Sequence, residues 1–364
     1  MITARKTLAA FAIAAFALAA FIALPQLSAQ TSGAFSLVDA LGRTVKFDKT
    51  PTRIVMTNKA VAMLANAAYL FPEASSRIVA MSTTKQGKYS FVAEFDPSVS
   101  SKILLDSQSG PEQVAAAKPD AVVLKTSLAG GLGKSIESLG IPVVYLDLEK
   151  PEQFERDIGI LGKLFRNEAR AQTLTSLFTS KMEKITKVLA GLGDAAKPKV
   201  LMLYYTDQGG AVSFNVPPLG WIQTSLVVMG GGIPVWSDAK LGSGWTKVSV
   251  EQVAAWNPDK IFVISYTADP AAVIGQLTSD PQWAGLRAVK QGGLLPFPGD
   301  FYSWDQADVR WPLGLAWVAK TLHPELLAGL DLKAEVRAFY KDFYGMGDAD
   351  FARLVTPKLP AELR

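Results

Sequence analysis

The sequence predicts an α/β protein made of two similarly built lobes, one on each side of a long helix. Three observations carry this expectation. Short β-rich runs such as "PVVYL" and "IFVIS" alternate with helical stretches, the texture of βα units around a mostly parallel sheet. One phrase is written twice: "EQVAAAKPD" begins at Glu112 and "EQVAAWNPD" at Glu251, and each runs into an apolar strand. Between the copies, "NEARAQTLTSLFTSKMEKITKVLAGLG" carries a helical apolar stripe uninterrupted by proline. The expected architecture is therefore two Rossmann-like lobes with mostly parallel sheets, joined by a single long α-helix, with a ligand cleft between the lobes.

Residues 1–29, "MITARKTLAAFAIAAFALAAFIALPQLSA", read as an export signal. Arg5 and Lys6 give a positive start, an apolar run follows, Pro25 breaks it, and Ser28 and Ala29 supply small residues for cleavage. Retention as an anchor is the alternative, because the run is long for a signal. The N-terminal lobe is expected over 30–150. It opens with "FSLVDALGRTVKFDKTPTRIVM", whose alternation around Leu41-Gly42 marks a hairpin leading into a buried strand at Ile54–Met56. A helix over 60–69, a strand over 78–81, the first repeat with its strand "AVVL", a helix over 135–139 and "PVVYL" follow.

Over 151–192 the pattern is helical. Phe154, Ile158, Leu161 and Phe165 share one face, and the next stretch aligns Leu174, Leu177, Phe178, Ile185 and Val188. Asn167 is its expected N-cap, with Glu168 in the first turn and Gly191 and Gly193 at the end. The C-terminal lobe, 193–345, resumes with "KVLMLYY" and the loop "TDQGGAVSFNVPPLGW". A helix at Ile222–Met229, the second repeat, "IFVIS", a helix near 270–277, "GLLPF", and amphipathic helices over 309–322 and 333–344 complete it. Residues 346–364 read as a polar tail.

Composition narrows the function. The chain has no cysteine, which excludes disulfides, thiolate metal sites, a cysteine nucleophile and a lipoprotein anchor. Exported without lipid, it would be retained near the cell in a periplasm. Without Arg5 and Lys6, the 37 basic residues become 35 against 33 acidic ones, so there is no electrostatic footprint for nucleic acid. The single histidine, His323 in "LHPE", suits a helix end and cannot build a multi-histidine metal site. "LAGGLGKS" has Leu128 where a phosphate loop needs glycine, and no G-x-S-x-G elbow exists. No enzyme chemistry is expected.

In their order along the chain, "DALGRTVKFDKTPTRIV", "GPEQVAAAKPDAVVL" and "GWTKVSVEQVAAWNPDKIFVI" resemble the opening hairpin and the two docking segments of class III periplasmic substrate-binding proteins of ABC importers. That family carries ferric siderophores, haem, cobalamin and, in some branches, molybdate. The resemblance implies that one glutamate on each lobe, here Glu112 and Glu251, pairs with arginines of a permease dimer that works with an ATPase. Support of each helix N-terminus through its dipole is a second role open to the same glutamates. It also implies a monomer carrying a small anionic cargo: a ferric siderophore or similar iron chelate, alternatively molybdate or tungstate, then haem or cobalamin. No resident cofactor or metal is expected.

Ligand contacts in such a fold come from loops at the carboxyl ends of strands. The candidates are Asn58, Lys59, Lys85, Lys125, Tyr205, Asn215, Trp245, Tyr302, Trp304 and Arg310. The lysines, with Lys88, would make a basic wall. The aromatic side chains suit a flat chelate, and Arg310 would pair with its carboxylates. Tyr89, Tyr205, Tyr266 and Tyr302 are the possible haem-iron ligands. One stiff connecting helix predicts a small hinge motion.

Overall fold

The structure, a computed structural model, describes residues 33–57, 60–83 and 89–364. The expected export signal lies outside them. The described residues belong to one compact unit, Ser32–Arg364.

The opening hairpin forms as the alternation predicts: β1 (Phe35–Val38) pairs antiparallel with β2 (Thr44–Phe47) around Gly42, at φ 75°. The first lobe is a parallel sheet of β3 (Ile54–Met56), β4 (Ile78–Ser82), β5 (Ile103–Leu105), β6 (Ala121–Lys125) and β7 (Val143–Leu146), in the order β5-β4-β3-β6-β7. Its central strands are buried on both faces, which is why they read as continuous apolar runs. The strand order reverses between β3 and β6.

The second lobe holds β8 (Lys199–Gln208), β9 (Ala211–Val216), β10 (Ile233–Pro234), β11 (Thr246–Val248), β12 (Lys260–Ile264) and β13 (Leu294–Pro296). Their order is β11-β9-β8-β12-β13, with β10 beside the start of β8. This sheet is mixed rather than mostly parallel: β9 runs antiparallel to both β8 and β11. The stretch expected as a loop from Thr206 to Asn215 is in fact the β8–β9 hairpin. Gly209 and Gly210 both take positive φ, 63° and 87°, and the Gly210 N–H donates to Asp207 Oδ1 at 2.8 Å. Two such residues make the tight turn whose twist matches its strands.

The repeated phrase is a repeated structure. Val114 and Val253, at the same place in the two copies, are both fully buried. Each helix ends on a left-handed residue directly before proline, Lys118 at φ 51° and Asn257 at φ 47°. An arginine then caps the end. Arg53 donates to the carbonyls of Lys118 and Ala117, and Arg287 donates to the carbonyl of Asn257. The aspartate clamps the neighbouring strand: Asp120 accepts the N–H groups of Thr52 and Arg53 before β3, and Asp259 accepts that of Lys199 at the start of β8. In both lobes the motif thus docks its strand, β6 or β12, parallel to the lobe's first central strand.

Two consecutive helices link the lobes rather than one. Pro151–Phe165 ends at Arg166 in the left-handed region (φ 56°), and Asn167 then caps the 22-residue helix Glu168–Leu189 by accepting the Arg170 N–H. Arg170 reaches both sides, donating to the carbonyls of Leu70 and Phe343. The segment expected as a polar tail packs inward, because Met346, Phe351, Leu354, Val355, Leu359 and Leu363 are buried. Its charged residues hid a short-period apolar pattern.

Helix Trp311–Leu322 lies under the loop that precedes it, and Gly314 permits the approach. A Cβ there would stand 2.4 Å from the Trp304 carbonyl oxygen. Gly314→Ala is expected to cost about 1–3 kcal/mol in urea unfolding, although alanine is the better helix former. An unshifted midpoint would mean that the 299–310 loop simply moves aside.

Candidate functional site

The carboxyl ends of β8, β12 and β13 open onto two adjoining hollows. The larger, about 550 Å³, is bounded by Tyr89 from the first lobe, by the loops after β12 and β13, and by residues 357–362 with Arg364. The other, about 460 Å³, lies on the face of the β8–β9–β11 ribbon. Strand register explains its lining. Tyr204 stands opposite Asn215, Asn215 opposite Lys247, and Thr206 opposite Ser213, so all five project from one face. Tyr205 projects from the other face, where it packs near Phe214 in the core.

An aromatic cluster joins the hollows. The Tyr204 ring lies 4.5 Å from Trp245 and 4.8 Å from Tyr266, and Trp221 meets Trp245 edge-on at 5.6 Å. Tyr266 is fixed from beneath by Asp305, which accepts its hydroxyl at 2.7 Å and also accepts from Gln223 and Ser303. Burial pushes the Asp305 carboxyl above the usual carboxylate range, against the pull of those three donors. Burial likewise pushes the Tyr266 hydroxyl well up, so it remains a neutral donor.

The floor of the larger hollow is a buried charge network. Arg310 is 0% exposed and pairs with Asp300 at 2.9 Å and Asp308 at 2.8 Å. Its guanidinium lies over the Phe91 ring at 4.7 Å and the Tyr302 ring at 5.2 Å. Asp308 accepts from Asn66 of the first lobe, and Asp300 accepts from Trp304 Nε1 and Tyr340. This corrects two expectations. Arg310 binds the protein's own carboxylates and not those of a ligand, and the Trp304 indole is buried in that network instead of facing the cleft.

The family profile of the periplasmic binding proteins matches residues 54–298. The chain belongs to the periplasmic binding protein family. The molybdate-binding protein MolA of Haemophilus influenzae is 26% identical over 257 residues, spanning 64% of this chain and 69% of that protein. Its solved structure bound to molybdate superposes with a TM-score of 0.70 at 21% identity, covering 86% of this chain and 98% of the other. A periplasmic solute-binding protein from Veillonella parvula gives a TM-score of 0.70 at 22% identity, covering 90% and 100%. CeuE of Helicobacter pylori, in a nickel–histidine complex, gives 0.67 at 20% identity, covering 88% and 99%.

The periplasmic binding protein fold accounts for the two lobes linked by long helices and places the chain among the class III members, which serve ABC importers and are not enzymes. It works in the periplasm. Within its cleft the sequence candidates divide. Asn215 and Trp245 share the ribbon hollow, and Tyr302 lines the larger one while accepting the Phe91 N–H at 3.4 Å. Lys125 is buried and pairs with Glu149 at 2.6 Å, its Nζ also donating to the Asp147 carbonyl, so it adds no free charge to the wall. Asn58, Lys59 and Lys85 lie outside the described residues. His323 caps helix Trp311–Leu322, with Nε2 3.0 Å from the Gly231 carbonyl. Tyr204 and Lys247 are site residues absent from the sequence candidates, and Tyr266 was named there only as a haem-iron ligand; the period-2 alternation of β8 and β9 was the signal that would have exchanged Tyr205 for Tyr204.

Proposed function

We propose that the protein captures a tetrahedral metal oxyanion of the molybdate or tungstate type and delivers it to an ABC permease. The observation that supports this reading is the likeness to MolA, in sequence over 257 residues and in fold. A second reading, an anionic iron chelate, draws on the site itself. The two hollows together far exceed a bare oxyanion, and the half-buried rings of Tyr204, Trp245 and Tyr266 offer flat surfaces for an organic ligand. Asn215, Trp245 and Tyr302 are the ligand contacts we retain from the sequence. Glu112 and Glu251 are assigned to docking on the permease dimer, with the binding protein acting as a monomer.

Thermal unfolding separates the cargoes. Sodium molybdate at about a hundredfold excess over its Kd adds about 2.7 kcal/mol, expected to raise Tm by roughly 5 °C. Ferric catecholates, haem and cobalamin should leave Tm unchanged. A shift with the iron chelate and none with molybdate would reverse the order of the two readings.

A further inference from the structure

The family profile stops at residue 298, so the last turns of the chain lie beyond it. Those turns nevertheless build one wall of the larger cavity. They are anchored from below by buried Leu359 and Leu363, and by Phe351, whose ring lies 5.8 Å from Tyr340. This anchoring sets Lys358 between the lobes. Its Nζ stands 3.9 Å from the centroid of the Tyr89 ring and 3.3 Å from Glu94 Oε2, both of the first lobe. On the other side, Nζ is 5.5 Å from the Phe301 ring of the second lobe.

The other charges lining this cavity have work elsewhere. Asp300 is neutralised by Arg310 beneath the floor, and Asp269 caps helix Pro270–Ser279 by accepting the Ala271 N–H. Arg364 folds back, its Nε donating to the Leu359 carbonyl, and Glu362 is exposed. Among the described residues, the cations lining the cavity are Lys358 and Arg364, and Lys358 is the one held between the two lobes. An ammonium resting on a ring face keeps N–H donors free for an anion. Its pair with Glu94 is partly exposed and therefore weak enough to exchange.

We propose that Lys358 is the counter-charge for the ligand, held by Glu94 and Tyr89 until an anion replaces Glu94. The role rests on the reading of the cleft as an anion site. It is tested by calorimetric titration of the full chain with sodium molybdate and with a ferric tris-catecholate. Lys358→Gln, which keeps the aliphatic stem over Tyr89, is expected to weaken binding about tenfold or more at unchanged Tm, and Lys358→Arg to retain it within about twofold. Glu94→Gln, which removes the competing carboxylate, should tighten binding about threefold, an effect that mere structural support of the last turns would not produce. Wild-type affinity in Lys358→Gln, or no tightening in Glu94→Gln, would overturn the role of Lys358 alone. A folded wild-type protein that binds neither probe would overturn the anion reading and this role together.

Discussion

Arg310→Ala is expected to lower the unfolding free energy by about 3–5 kcal/mol, a large share of a typical protein's stability. The guanidinium is fully buried between Asp300 and Asp308, which are themselves 0% and 2% exposed at their side chains. Burial opposes its charge, but the attraction of the Asp300 and Asp308 carboxylates more than offsets that, and its pKa rises well above the ordinary value. Removing it leaves two carboxylates in a dry site with Trp304, Tyr340 and Asn66 as their neutral donors. Arg310→Lys should also be costly, because an ammonium cannot fork to both carboxylates while lying flat on Phe91. Urea unfolding measures both variants. Adding Asp308→Asn to Arg310→Ala should recover part of the loss, since one uncompensated charge is gone. A loss below about 1 kcal/mol for Arg310→Ala would mean that water solvates the cluster, contrary to its burial.

That network also shows where the sequence was legible and where it was not. Elements with a strong period were readable: the hairpin around Gly42, the strand at β3, the Asn167 cap and the two copies of the repeated helix-to-strand phrase all follow from local rules. The linking segment was readable as helix, but the left-handed break at Arg166 was not, because arginine carries no signal for positive φ. In the β8–β9 hairpin two adjacent glycines suggested a loose loop, while the alternation after them was the better guide. The site was harder. Arginine and tryptophan in "DFYSWDQADVR" suggested ligand contacts, yet Asp300 and Asp308 in the same phrase consume the arginine. Whether a cation faces a cleft or its own carboxylates is decided by tertiary packing that spacing does not encode. Lys358 was hidden for the opposite reason, in a segment whose polar appearance concealed five inward-facing apolar side chains beside Met346.

The double substitution Glu112→Ala with Glu251→Ala is expected to reduce transport roughly thirtyfold while leaving ligand affinity within about twofold. The figure comes from about 1 kcal/mol for each rim ion pair, and two such pairs give about 2 kcal/mol. Both glutamates are exposed in the first turn of matching helices, one on each lobe. The Ser249 hydroxyl holds the Glu251 carboxyl below its usual range, so it stays charged at any physiological pH. Neither glutamate lines either hollow, which is why ligand affinity should not respond. Each single variant should lose about fivefold, because the two docking contacts lie on separate lobes and add. Uptake by cells or proteoliposomes and calorimetry on the purified protein give the two readouts. The helix-dipole role makes a different prediction: losing an acidic first-turn residue would lower Tm and spare transport. Full transport with a lowered Tm would therefore assign the repeated glutamates to helix support and leave the permease contact to other residues.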